Sequence, residues 1–144
     1  MAVEVVMTVL ADRQRADLRG PKRRKFERFL DDLAARGCTA LGYRLAGDGL
    51  LEHLCVKHIH SSLRAVVAFE SHSRAWVLLI GPHDQDPDLN VYTALYRLAG
   101  IETPPVEART KPPCCSSDDG SAPVSESAEV DDLVTRAKAL RRRR

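Results

Sequence analysis

Four side chains in the middle of the chain are of the types that cut a phosphodiester bond: Glu52, Lys57, Arg64 and His83. Cleavage of RNA through its 2′-hydroxyl needs a base for that hydroxyl, a cation for the charge that develops on phosphorus, and an acid for the departing 5′-oxygen. Glu52 is a candidate base, Arg64 with Lys57 supplies the cations, and His83 is a candidate acid. Chemistry of this kind requires neither a metal ion nor a cofactor.

The same residues also have plain structural explanations. Glu52 and Arg64 can form a cross-strand ion pair on an exposed sheet face, a common arrangement in antiparallel sheets. His83 can be an ordinary solvated histidine in a loop, because exposed titratable residues usually have no further role. Both interpretations remain open from the residues alone.

Three apolar runs position these side chains, at residues 50–59, 63–70 and 75–81, after a Gly-Asp-Gly turn at 47–49. The runs have the length of strands and the connectors between them are too short for helical crossovers, so we predict an antiparallel meander. Side chains alternate along a strand, so one side of the second run should face the helices. Arg64 and Glu70 should point to the other side. The helix-facing set is Leu63, Ala65, Val67 and Phe69. We expect one buried sheet face and one basic, histidine-containing face that meets a partner.

Other segments supply the elements around the meander. Residues 3–10 are β-branched and apolar and predict a first strand, and residues 13–20 predict a short helix. From Lys22 onward, apolar residues recur at helical spacing until Gly37, which predicts an amphipathic helix. Its basic face is either solvated or attracts phosphates. A further helix is expected over residues 89–98, with Gly100 as its stop.

Composition restricts the class of protein. The chain has 144 residues, of which 44% are hydrophobic and 29% charged, and its net charge of +2 is too small to indicate nucleic-acid binding by itself. No apolar segment approaches the roughly 20 residues that span a bilayer, and we expect no membrane partner. The start carries an acidic residue and no basic region, unlike a signal peptide. The four cysteines have no CxxC spacing, so we expect neither a disulfide framework nor a zinc site, and we expect a cytoplasmic location.

The chain changes character near residue 100. Residues 101–130 are rich in Pro, Ser, Asp and Gly and contain few large apolar groups, which predicts a disordered tail. Residues 131–144 carry acids first and bases last, as the helix dipole favours, and predict a short basic helix. We therefore divide the chain into a folded domain at 1–100 and a low-complexity tail at 101–144.

The order of these segments resembles the RelE/ParE/HigB-like toxin superfamily. The resemblance covers residues 3–92 and rests on LAGDGLLE at 45–52, LRAVVAF at 63–69 and WVLLI at 76–80. It implies a small α+β fold with helices on an antiparallel sheet. It further implies a toxin of a type II toxin–antitoxin system, a ribosome-dependent mRNA endonuclease that inhibits translation and is neutralised by a cognate antitoxin.

Roles follow from the resemblance residue by residue. Arg64 matches an arginine that holds the scissile phosphate, Glu52 an acidic general base, and His83 a general acid. Lys57 is placed like other members' lysines, and Tyr92 where an aromatic ring stacks on a base.

An alternative remains from a different functional class. Acidic residues Asp84, Asp86 and Asp88 follow the last run, where HigB-like members often carry lysines, and they would repel a phosphate backbone. The alternative is a non-catalytic module on the same fold that binds a protein partner, including a toxin directed at gyrase.

Overall fold

The computed structural model describes residues 2–45, 49–83, 90–101, 112–116 and 118–142. Helices pack on both faces of a mixed sheet whose strand order is β1-β5-β4-β3-β2. The elements in chain order are β1 (Glu4–Met7), α1 (Val9–Ala16), α2 (Gly20–Arg36), β2 (Tyr43–Arg44), β3 (Leu54–His60), β4 (Leu63–Ser71), β5 (Arg74–Pro82), α3 (Val91–Ala99) and α4 (Ser127–Arg142). Short 3₁₀ turns occupy Gly37–Ala40 and Gly49–His53.

The meander is confirmed, and so is the α+β class. Strands β3, β4 and β5 pair antiparallel through short hairpins, and β2 adds antiparallel to β3. Strand β1 pairs with β5 in parallel, which makes the sheet mixed. The helices and strands between β1 and β5 give the chain enough length to return in that direction.

The first strand is shorter than the sequence predicts because Thr8 begins a helix. Its hydroxyl accepts a hydrogen bond from the Ala11 amide at 3.0 Å and donates one to the Leu78 carbonyl at 2.6 Å. A buried threonine that caps the first turn ends the strand at Met7. Helix α1 therefore starts earlier than the short helix predicted at 13–20.

Helix α2 covers one face of the sheet, as its apolar spacing predicts. Phe26, Phe29 and Leu33 are buried in the same cluster as the predicted helix-facing residues of β4. The register of β4 is thereby confirmed, since Val66 and Ala68 belong to the cluster on the opposite face.

That opposite face is not free for a partner, contrary to the sequence prediction. Leu95 and Leu98 of α3 and Leu133 of α4 are buried against it, together with Val66 and Leu78. The physical reason is the near-continuous apolar character of β3, β4 and β5, a pattern typical of a sheet buried on both sides. Polar side chains on this face occur near the strand ends.

The C-terminal part of the chain packs more than its composition predicts. Residues 102–111, 117 and 143–144, which belong to the predicted tail, lie outside the described residues. Where the structure describes the segment, the Arg44 amide donates to the Pro112 carbonyl at 2.8 Å, and the Ser125 amide to the Phe69 carbonyl at 2.8 Å. The helix predicted at 131–144 begins earlier, at Ser127, and buries Val130 and Leu133.

Two disulfide bonds explain this packing and correct the cysteine prediction. Cys38 is bonded to Cys115 and Cys55 to Cys114, across sequence separations of 77 and 59 residues. Partners so far apart leave no signature in cysteine spacing. The bonds attach residues 114 and 115 to the α2 side of the sheet, where local composition alone would not hold them.

No helix in the described part of the chain is long and apolar enough to cross a membrane.

Replacing Phe69 by alanine tests the register of β4. The side chain is fully buried beneath α2, so its removal should lower the free energy of unfolding by about 3–5 kcal/mol. Chemical denaturation measures this change. Val124→Ala, at a neighbouring exposed position, is the matched control and should cost far less. A loss below about 1 kcal/mol at Phe69 would contradict the register.

Candidate functional site

Three of the predicted site residues meet at one end of the sheet, around the hydroxyl of Tyr92. That hydroxyl lies 2.9 Å from the hydroxyl of Tyr43, and the Arg64 guanidinium is close enough to lower the pKa of Tyr92 against the effect of burial. The His83 ring stands edge-on to the Tyr92 ring, with 5.2 Å between the ring centroids. We call Tyr43, His58, Arg64, His83 and Tyr92 the Arg64 cluster.

Strand register places the members that come from the sheet. Arg64 of β4 lies opposite His58 of β3 and Gly81 of β5, and residues directly opposite in antiparallel strands share a face. His83 follows Gly81 by two residues, and its amide donates to the Ser62 carbonyl at 2.8 Å. The extended chain thus brings His83 to the face that carries Arg64.

The tip of the β3–β4 hairpin fixes two of these side chains. Ser61 has a left-handed backbone conformation with φ of 53°, which turns the chain between the strands. Its carbonyl accepts a hydrogen bond from Arg64 Nη1 at 3.1 Å and another from the His58 ring through Nε2. A carbonyl can only accept, so Nε2 of His58 carries a proton and Nδ1 is the ring nitrogen left for a substrate.

The first turn of α3 places Tyr92 above the strands. Asn90 caps the helix, and its side-chain oxygen accepts from the Tyr92 amide at 2.8 Å. A Cβ atom at Gly81 would lie 3.3 Å from Cβ of Val91, so the helix start and the end of β5 approach closely. Glycine at this position therefore lets α3 sit directly against the strand that leads to His83.

Burial keeps the Tyr92 hydroxyl protonated. Desolvation raises the pKa of Tyr92 well above its usual range, and the hydrogen bond between the Tyr92 and Tyr43 hydroxyls acts in the same direction, while Arg64 partly opposes both. Tyr92 is therefore a neutral hydroxyl near pH 7 and can serve as a hydrogen-bond donor but not as a base. Arg64 is half-buried and His83 is exposed, so both can be reached from solvent.

Glu52 does not join the cluster. It lies in a 3₁₀ turn, not in a strand as predicted, and it is exposed. It precedes Leu54, which pairs with Ala68, whereas Arg64 pairs with His58 further along β3. Four residues of extended strand separate Leu54 from His58 and span about 13 Å. The turn therefore leaves the Glu52 carboxylate at the far end of β3 from Arg64.

Lys57 lies on the wrong face of the sheet to assist Arg64. It pairs with Ala65, whose side chain belongs to the core beneath α2, so Lys57 and Arg64 point to opposite faces. The predicted pair of cations does not form. The acidic positions Asp84, Asp86 and Asp88 lie outside the described residues.

Sequence reasoning missed two members of the cluster, Tyr43 and His58. His58 was accessible from the sequence, because a two-residue hairpin at Ser61 and Ser62 brings it opposite Arg64. Tyr43 gave no such signal, since β2 has two residues and joins the sheet through Val56. Among the described residues, no group of three or more His, Cys, Asp or Glu side chains is placed to hold a metal ion.

Comparison with known proteins gives few matches. No protein-family model and no curated protein matches the chain. Among solved structures, the crystal structure of the toxin–antitoxin complex RelBE2 from Mycobacterium tuberculosis aligns with a TM-score of 0.40 and 15% sequence identity. The alignment covers 56% of this chain and 96% of that chain.

Proposed function

We propose that this chain is a toxin-like, metal-independent endoribonuclease that cuts mRNA on the ribosome and inhibits translation. The observation that carries the proposal is the convergence of Arg64, His83 and Tyr92 at one end of the sheet. The sequence resemblance assigned catalytic roles to Arg64 and His83 and base stacking to Tyr92, and these residues lie in β4, just after β5 and in α3. The sequence resemblance adds the ribosome as the setting and a cognate antitoxin as the partner.

The cluster contains the groups that the reaction needs. The guanidinium of Arg64, with the hydroxyls of Tyr43 and Tyr92, stabilises the negative charge that develops on the phosphorane oxygens. Nδ1 of His58 takes the proton of the 2′-hydroxyl, the role that the sequence assigned to Glu52. His83 gives a proton to the departing 5′-oxygen. The products are a 2′,3′-cyclic phosphate and a 5′-hydroxyl end.

A basic surface on α1 and α2 favours an RNA substrate. Residues 13–28 contain eight Lys and Arg but two acids, although the whole chain carries a net charge of only +2. Lys22, Arg24 and Lys25 are exposed there and form no ion pair within the part of the chain that the structure describes. Gln14 accepts a hydrogen bond from the Ile80 amide at 2.7 Å, which places this part of α1 next to the end of β5. A phosphate backbone gains affinity from such a surface.

Induced expression of the full chain tests the function. Growth should stop, translation should fall, and primer extension on cellular mRNA should show new 5′ ends within translated regions. Purified protein that has been stripped of metal with EDTA beforehand should cut mRNA in the presence of ribosomes, with no metal added beyond the Mg²⁺ that keeps the ribosomes assembled. Cleavage at subsaturating RNA should weaken steeply as salt rises, because phosphate contacts release counterions. Growth arrest with intact mRNA would instead favour the binding module.

A further inference from the structure

The C-terminal segment, residues 112–116 and 118–142, wraps the sheet as a strap. It runs beside β2 at Pro112 and Pro113, then reaches the end of β4, where the Ser125 amide bonds to Phe69. It ends in α4, which packs on the other face against α1, α3, β4 and β5. The strap therefore touches both faces of the domain, and its α4 covers apolar residues of the sheet.

Noncovalent contacts hold α4 in place only modestly. The helix buries Val130, Leu133 and Ala137, of which the last two belong to the core on this face. At its start, the Ser125 hydroxyl oxygen and Oε2 of Glu129 are buried without a hydrogen-bond partner among the described residues. Buried polar atoms without partners carry an uncompensated desolvation cost. Detachment of α4 would return both atoms to water.

The two disulfide bonds that anchor the strap differ in accessibility. Cys55 is 0% exposed and Cys114 is 1% exposed, so the bond between them lies inside the core. Cys115 is half-buried, and its partner Cys38 is 7% exposed. Thiol–disulfide exchange requires a thiolate to approach one sulfur along the axis of the S–S bond. A small thiol should therefore react at Cys115 before it reacts at Cys114.

We propose that the strap is a thiol-controlled cover that is released in two ordered steps. In the first step, a low-molecular-weight dithiol attacks the Cys115 sulfur as a thiolate. The Cys38 thiolate leaves and takes a proton, and the second thiol of the reagent then frees Cys115 and forms a cyclic disulfide. The reagent thus supplies both electrons. The bond between Cys55 and Cys114 is reduced in the same way only after residues 112–116 have moved.

Reduction of both bonds loosens α4 because it lengthens the tether. With the bonds closed, the tether between Cys115 and Val130, the first buried residue of the helix, has 14 residues (116–129). With the bonds open, the tether starts at Ile101 and has 28 residues (102–129). When the length of a flexible tether doubles, the effective concentration of α4 near the sheet falls about threefold. Loss of the contacts at Pro112 and Ser125 adds to this factor.

Release of α4 has a consequence for the Arg64 cluster. Arg136 of α4 packs against Gly100, the left-handed residue that ends α3, so closely that a Cβ atom at Gly100 would overlap its guanidinium. Helix α3 carries Tyr92 at its other end. A reducing environment therefore uncovers the apolar face under α4 and removes support from the helix that positions Tyr92. This inference stands whether or not the chain cleaves RNA.

The order of reduction is tested on the full-length oxidised protein. Samples are treated briefly with increasing dithiothreitol, alkylated with iodoacetamide and digested for mass spectrometry. Cys38 and Cys115 should be labelled before Cys55 and Cys114. Simultaneous labelling of all four cysteines, or earlier labelling of the inner pair, would overturn the order. A protein that stays reduced in oxidised glutathione would overturn the strap itself.

Hydrogen exchange tests the release of the helix. After full reduction, amides of 127–139 should exchange at least about threefold faster, while α2 keeps its protection and shows that the domain is still folded. The variant C38S/C115S should exchange at close to the rate of the oxidised protein, since its inner bond keeps the tether at 15 residues (115–129). If reduction leaves the exchange of α4 unchanged while α2 is protected, the strap is not thiol-controlled. If C55S/C114S fails to fold, the alkylation experiment on the unmodified chain still decides the order.

Discussion

Replacement of Arg64 by alanine should lower the rate of RNA cleavage by about 10²- to 10³-fold, the loss typical when one preorganised donor to a developing oxyanion is removed. Arg64 is the one guanidinium in the cluster, and its Nη1 donates to the Ser61 carbonyl at 3.1 Å. Arg64→Lys keeps the charge but loses the planar fork of donors, so its rate should fall between those of the wild type and the alanine variant.

The comparison should use single-turnover cleavage on bound RNA, because this separates the chemical step from binding. Arg24→Ala is the matched control: it removes an exposed arginine of α2 that lies outside the cluster. It should change affinity for RNA and leave the single-turnover rate near that of the wild type. A folded Arg64→Ala variant that cuts RNA at the wild-type rate would exclude Arg64 from the reaction and leave the fold unaffected.

Local patterns in the sequence were sufficient to predict the meander and the helix on one side of it. The alternation of Leu63, Ala65, Val67 and Phe69 identifies the helix-facing side of β4, because every second residue of a strand shares a face. Helical spacing likewise identifies Phe26 and the buried side of α2. Both signals are short-range and depend only on residues a few positions apart.

The second buried face was missed although the sequence contains a sign of it. The intervening positions of the same strands, such as Val66 and Ala68, are also apolar, and runs of this type favour burial on both sides. Polar residues near the strand ends, Arg64 and Glu70, led instead to the prediction of a solvent-facing surface. The structure shows that these residues mark the end of the sheet and not its whole face.

Placement of Glu52 and Lys57 required information that spacing does not contain. Glu52 falls in a 3₁₀ turn, so the strand that the apolar run predicted begins after it, at Leu54. Lys57 lies in a correctly predicted strand, but its partner Ala65 is on the α2 side. The face of each residue of β3 depends on the register of the β3–β4 hairpin, and this register brings His58 to Arg64 instead.

Composition could not predict the packing of the strap, for a different reason. Its affinity for the domain is concentrated in a few contacts, two of which are covalent bonds to Cys38 and Cys55. A segment with few apolar groups ordinarily cannot offset its ordering entropy. Crosslinks to a folded domain reduce that cost, and composition records neither the crosslinks nor their partners.

Replacement of His83 by alanine should slow RNA cleavage by about 10²- to 10⁴-fold, the range typical of general acid–base catalysis. The His83 ring is exposed at the end of β5 and contacts the edge of Tyr92, so it can approach a substrate held by Arg64. Its truncation removes no buried group, and the fold should be unaffected. His72→Ala is the matched control, since this exposed histidine lies in the β4–β5 hairpin at the opposite end of the strands.

The choice of leaving group separates the acid from the base. In a nucleotide ester of 4-nitrophenol, the 4-nitrophenolate leaving group departs without protonation. A variant that lacks only the acid should therefore cleave this ester at close to the wild-type rate. His83→Ala should be rescued in this way, whereas His58→Ala should not, because the 2′-hydroxyl must still lose its proton. Rescue of His58→Ala alone would reverse the two roles. An equal loss on both substrates for His83→Ala would show that its ring positions Tyr92 and donates no proton.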